Sequence, residues 1–170
     1  MKLSILTFAG IIFLMSFTGC KQENQKHSEN KEDQLTISGI NGNLVANPII
    51  YDVIIKNPDP EDRWATEKLE KLNKEALVDL IFNAVESGKV IAYNYHTDEK
   101  MSMKEFKALK KLEEFDKSKI GEIQFIEDWY FDEVNMKMTK IVKSIMLAYE
   151  VYDQFGKVRG YKAAFRIDLN

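Results

Sequence analysis

Cysteine is almost missing from these 170 residues: there is one, Cys20. No disulfide can form within the chain, and no cysteine pair is present to hold a structural metal. Histidine is nearly as scarce, with only His27 and His96. Glycine numbers eight and proline three, and no glycine-rich phosphate loop, GxSxG, HExxH or EF-hand pattern occurs. Positive charge is not in excess either. Lys and Arg number 24 against 27 Asp and Glu, a net charge of −3. Phosphate backbones select basic surfaces, so nucleic acid is not an expected partner. Beyond Phe17 no run is long and apolar enough to cross a bilayer.

What is present begins at the N-terminus. MKLSILTFAGIIFLMSFTGC carries one early cation, Lys2, and an apolar run from Leu3 to Phe17. That run is shorter than the roughly 20 residues of a comfortable membrane span. It ends in small and polar residues, as export signals do. Phe17-Thr18-Gly19-Cys20 is similar to a bacterial lipobox, in which the cysteine after two small residues is acylated and becomes the mature N-terminus. The alternatives are an ordinary secretory signal or a short membrane anchor; position, spacing and the lone cysteine agree on lipidation at Cys20. Removing residues 1–19 removes only Lys2 among charged side chains, so the net charge moves from −3 to −4. Two or more acyl chains hold a protein stably on a membrane.

Residues 21–34, KQENQKHSENKEDQ, contain no apolar side chain. Such a segment buries nothing to offset its chain entropy, so residues 20–34 are expected to be a flexible tether, with His27 solvated on it. Residues 35–170 are expected to form one domain of α+β class, an antiparallel sheet with two main helices packed on one face. Ile49 to Ile55 reads as a short strand. The apolar spacing of Leu69, Leu72, Ala76, Leu77, Leu80, Ile81, Ala84 and Val85 predicts a helix over 66–87. Thr66 is its expected cap and Gly88 its C-terminal stop; Leu77 and Leu80 are expected in the core. Residues 89–95 read as a strand. Ser102 with Glu105 has the pattern of a capping box opening a second helix, whose lysines (Lys104, Lys107, Lys110, Lys111) read as a solvated face. His96 falls in the intervening loop. Residues from Glu122 to Phe131, Thr139 to Tyr152 and Tyr161 to Leu169 read as strands, the last two joined by a turn at Asp153–Gly156.

Residues 125–133, FIEDWYFDE, hold the densest chemistry. By strand alternation Phe125, Glu127, Trp129 and Phe131 share one face, and Ile126, Asp128, Tyr130 and Asp132 the other. Glu127 among rings needs a partner, or its pKa rises. Asp128 and Asp132 stand about 13 Å apart at strand rise, beyond the roughly 5–10 Å of a glycosidase pair. The reading is therefore a candidate partner surface of Glu127, Asp128, Trp129, Tyr130, Phe131 and Asp132, with no catalytic residue, no metal ligand and no cofactor.

Three segments carry a family resemblance: LIFNAVESGKVIAY (80–93), IGEIQFIEDWYFDEVNMKMTKIVKSI (120–145) and RGYKAAFRIDL (159–169). Together they resemble the gliding-motility GldN/PorN family, with Gly88, Tyr93, Glu127, Trp129, Phe131 and Asp132 as the matching positions. The resemblance covers roughly residues 66–169. It implies a non-enzymatic part of the type IX secretion and gliding machinery of Bacteroidota. It also implies assembly with a ring-forming lipoprotein on the periplasmic side of the outer membrane. Joined to the N-terminal reading, it makes the chain a lipid-anchored envelope subunit that binds other envelope proteins, with a homo-oligomer open. The alternative is a periplasmic or surface lipoprotein that binds a peptide or glycan through its aromatic strand.

Overall fold

Five strands and three helices are described in a computed structural model that covers residues 40–169. The expected signal peptide, Cys20 and the tether lie outside the described residues. The strands are β1 (Asn43–Ile54), β2 (Ala92–Tyr93), β3 (Ile120–Asp132), β4 (Lys137–Tyr152) and β5 (Val158–Asp168). They form one sheet in the order β1-β3-β4-β5-β2, with every neighbouring pair antiparallel. β3, β4 and β5 are a meander joined by short turns. β1 adds to the outer side of β3, and β2 to the far edge beside β5. The architecture is the expected α+β one.

The helices are α1 (Arg63–Leu69), α2 (Lys74–Glu86) and α3 (Met103–Leu109). The single helix expected over 66–87 is thus two. Asp62, not Thr66, caps α1, its carboxylate accepting from the Ala65 amide at 3.0 Å. Asn73 caps α2 in the same way, accepting from Ala76 at 3.0 Å. An asparagine side chain that satisfies a free helix-start amide competes with continuing the previous helix, and here the cap wins. Two signals read from sequence are in place. Ser102 and Glu105 form a reciprocal capping box on α3, and Gly88 ends α2 in the left-handed region at φ 73°.

The core lies on the helix-covered face of the sheet. Val78, Ile81, Phe82 and Val85 of α2 and Phe106 of α3 meet Ile120, Ile123, Leu147, Tyr149, Phe165 and Ile167. Val78, Ile81, Phe82 and Val85 stand at three- and four-residue steps, one stripe of one helix. Leu77 packs at its border. Leu80 is 68% exposed, so its expected core role is corrected.

β4 outruns β5. Its pairing with β5 covers Ser144 to Tyr152. Residues 137–142 of β4 pair in this sheet only with β3. Lys143 is an extra residue between the pairs Ile126–Ser144 and Glu127–Val142, a bulge that marks the junction. Beyond it, the end of β3, the start of β4 and the start of β1 make a three-stranded arm that projects past the helical core.

Candidate partner surface

β3 carries the acid–aromatic stretch, and its alternation divides it as the sequence requires. Phe125 lies on the helix side, packed at the edge of the core. Next along that face is Glu127, 4% exposed. The Tyr51 hydroxyl of β1 donates to one carboxylate oxygen at 2.8 Å, and the Trp129 indole N–H to the other at 2.7 Å. Tyr51 packs against Phe125 with ring centroids 5.7 Å apart and against Trp129 at 6.4 Å. Burial first, and then the carboxylate it holds, push the Tyr51 phenol above its ordinary pKa. Lys140, directly opposite Trp129 in register, sits 4.3 Å from the indole centroid and 5.5 Å from the Tyr51 ring. Its ammonium addresses the rings, a cation–π arrangement. Both oxygens of Glu127 are therefore occupied by neutral donors. That is the geometry of a brace locking β1 to β3.

The opposite face buries polar side chains. Asp128 is 7% exposed and stands 3.8 Å from the Lys143 ammonium at the bulge. Beside it runs a groove of about 570 Å³ lined by Ile126, Ile141, Lys143, Ser144, Arg166, Asp168 and Leu169. Arg166 is occupied there: it pairs with Asp98 and, at 3.2 Å, with Asp168, and stacks 5.0 Å from the Tyr93 ring centroid.

Asp132 does a different job. It accepts from the Val134 and Asn135 amides, both at 3.0 Å, and from the Asn135 side-chain amide at 2.8 Å. Those bonds, the Asn135 side chain foremost, hold its carboxyl below the usual range. The turn itself shields this group, as an Asx turn does. Of the candidate surface residues, then, Glu127 and Asp132 face inward to donors of the fold. Asp128 is paired at the bulge, and Trp129, Tyr130 and Phe131 are half-buried along the arm. The structure spreads these residues over two faces and does not gather them into one patch.

Sequence reasoning passed over two features. One is Glu150, 2% exposed, which holds Lys56 and the Tyr152 hydroxyl on the face opposite the helical core. Burial pulls the Lys56 ammonium down, but the Glu150 hydrogen bond and charge outweigh it, and its pKa ends raised. The other is the tip of the arm. Val134 is 90% and Met136 76% exposed in the β3–β4 turn; Met138, opposite Phe131, Leu44, opposite Tyr130, and Val45 are also exposed. Apolar residues inside VNMKM, where turn chemistry usually places polar ones, were the available signal. His96 lies in the loop before α3, exposed, as expected. Among the described residues no cluster of His, Cys, Asp and Glu could hold a metal ion, and no helix is long and apolar enough to cross a membrane.

No curated protein matches the chain. Residues 48–168 match the family described as "Gliding motility associated protein GldN". The match runs from the middle of β1 to the end of β5, through the Glu127 brace and all three helices. It spans well over half of the sequence, and by it the chain belongs to the GldN family of gliding motility associated proteins.

Proposed function

We propose that this chain is a lipid-anchored assembly subunit of the cell envelope, joining other proteins of a gliding motility and type IX secretion apparatus. The observation that carries the reading is the family match over residues 48–168. The chemistry on β3 is in keeping with it. Its buried acid serves two donors of the fold, and its aromatic residues brace strands. Such a rigid scaffold suits a part whose work is to be held by neighbours. In this reading Cys20 is the acylated N-terminus, the outer membrane is the address, with the periplasmic face the side, and a ring-forming lipoprotein is the first partner. A second copy of the chain is a further one.

Two experiments test it. Crosslinking in the native cell, followed by capture of the tagged chain, should recover gliding and secretion components. Recovery of none from a strain in which the tagged chain replaces the wild type would overturn the assembly reading. Metabolic labelling with a clickable fatty acid should tag the wild type, whereas Cys20→Ala should be unlabelled and released from membranes. Labelling that persists in Cys20→Ala would remove the anchor from the proposal.

A further inference from the structure

β5 stops while β4 goes on. The last main-chain bond on that side of β4 runs from the Leu169 amide to the Lys143 carbonyl, at 2.8 Å. Over residues 137–142 β4 pairs with β3, and among the described residues no strand meets its other edge. In an antiparallel ladder every second residue turns its N–H and C=O to the neighbour on one side, and the residues between turn theirs to the other. A row of main-chain donors and acceptors, in line with β5 and just beyond its end, is therefore left without a strand. Such a row is a template for another extended chain.

The side chains at this junction offer a second argument. Where β5 ends, the groove beside Asp128 opens on the face away from the helices, with Ile141 and Ser144 of β4 among its walls. Ser144 is 5% exposed, and its hydroxyl has no hydrogen-bond partner among the described residues. A buried hydroxyl without a partner is costly, and folded proteins supply one to the large majority of such groups. A side chain seated in the groove from a strand beside β4 supplies it here. Lys143, at the bulge, stands 3.8 Å from Asp128, beyond hydrogen-bond reach, so its ammonium keeps donors to give.

Charge decides which strand fits. The stretch KMTKIVK (137–143) is charged only by Lys137, Lys140 and Lys143. A second copy set antiparallel on this edge, with Lys140 at the two-fold axis, opposes Lys140 to Lys140 and Lys137 to Lys143. Like charges directly opposite destabilise a strand pair, and opposite charges stabilise it. Edge lysines thus keep the strand from its own copy and leave it open to an acidic one.

We propose that the free edge of β4, over residues 137–142, is a docking site for an acidic, extended segment of a partner protein. The segment adds to the sheet in line with β5, its acids facing Lys137 and Lys143 and one side chain entering the groove to meet Ser144. The proposal gives a surface to the assembly reading and rests on it, and the two can fail separately.

The purified full chain is mixed with a capped peptide that alternates valine and glutamate, or with the same peptide carrying lysine for glutamate, and backbone hydrogen exchange is followed. The acidic peptide is expected to slow exchange several-fold over residues 137–142 and to leave α2 unchanged, while the basic one has no effect. Lys137→Glu with Lys143→Glu should reverse that preference. Lys137→Arg with Lys143→Arg should keep it, which separates charge from damage to the bulge. Protection by neither peptide, or equal protection by both, would overturn the docking edge. In the native cell, a photocrosslinking phenylalanine in place of Met138 reads the occupant. Crosslinks to an acidic segment of another envelope protein are expected. Crosslinks to residues 20–39 of the same chain, to a second copy or to nothing would overturn the proposal. Capture of secretion components by the tagged chain would then still stand, and with it the assembly reading.

Discussion

Phe82→Ala should destabilise the domain by about 3–5 kcal/mol, while Leu80→Ala, two residues earlier, should stay within about 0.5 kcal/mol of the wild type. Phe82 is 1% exposed. Its ring meets Phe165 edge-on at 5.2 Å between centroids, Phe106 at 5.6 Å and Phe115 at 6.1 Å. It therefore joins α2, α3, the segment before β3, and β5. Truncation leaves a cavity whose walls belong to four separate pieces of chain, and no single one can collapse to fill it. Leu80 lies two residues from both Val78 and Phe82, about 200° round the helix from each. It points away from the stripe they share. Urea unfolding followed by circular dichroism measures both variants. Equal shifts in midpoint would mean that the stripe of α2 has been assigned to the wrong side.

The second large effect concerns the brace. Glu127→Ala should cost about 2–4 kcal/mol, because two donors that bond to a charged acceptor lose it together. Glu127→Gln should recover part of that loss. The amide carbonyl can serve one donor, but its NH₂ then faces the other, and a donor facing a donor gains nothing. Tyr51→Phe removes one of the two bonds on its own. If the brace is real, Tyr51→Phe and Glu127→Ala are non-additive in a double-mutant cycle, since they share an interaction. Loss of less than about 0.5 kcal/mol in Glu127→Ala, or full additivity, would show that the buried carboxylate is not what ties β1 to β3.

The sequence already contained the face assignments along β3, because alternation is a local rule and this strand is regular between Ile123 and Asp132. Ser102 with Glu105, and Gly88, were legible for the same reason: caps and stops are written within four residues of where they act. The split between α1 and α2 was missed because the leucines run on through the break. Leu69 and Leu72 continue the apolar spacing, while Asn73 interrupts the backbone. The partner of Glu127 could not be read at all, since Tyr51 lies 76 residues away and pairing register is set by bulges that leave little trace in composition. Asp132 could have been read. An aspartate three residues before an asparagine, at the end of a strand, is turn chemistry, and counting it with a surface patch ignored that. Alternation says which residues share a face; it does not say how far along that face the helices reach. For this reason Phe125 is packed while Phe131, six positions on and on the same side, is half open.

The direction in which β1 enters the sheet has a mechanical consequence. A pull applied at Asn43 along the strand axis, away from the core, draws β1 lengthwise past β3. Antiparallel hydrogen bonds lie perpendicular to their strands, so such a load shears the ladder from Asn43–Phe131 to Ile54–Glu122 as a whole and does not peel it one bond at a time. The bond from Tyr51 of the loaded strand to Glu127 of the fixed one, whose carboxylate Trp129 also holds, lies across the line of slip like a pin through two plates. A domain drawn by its N-terminal segment while its body is held elsewhere thus meets the force in its stiffest orientation.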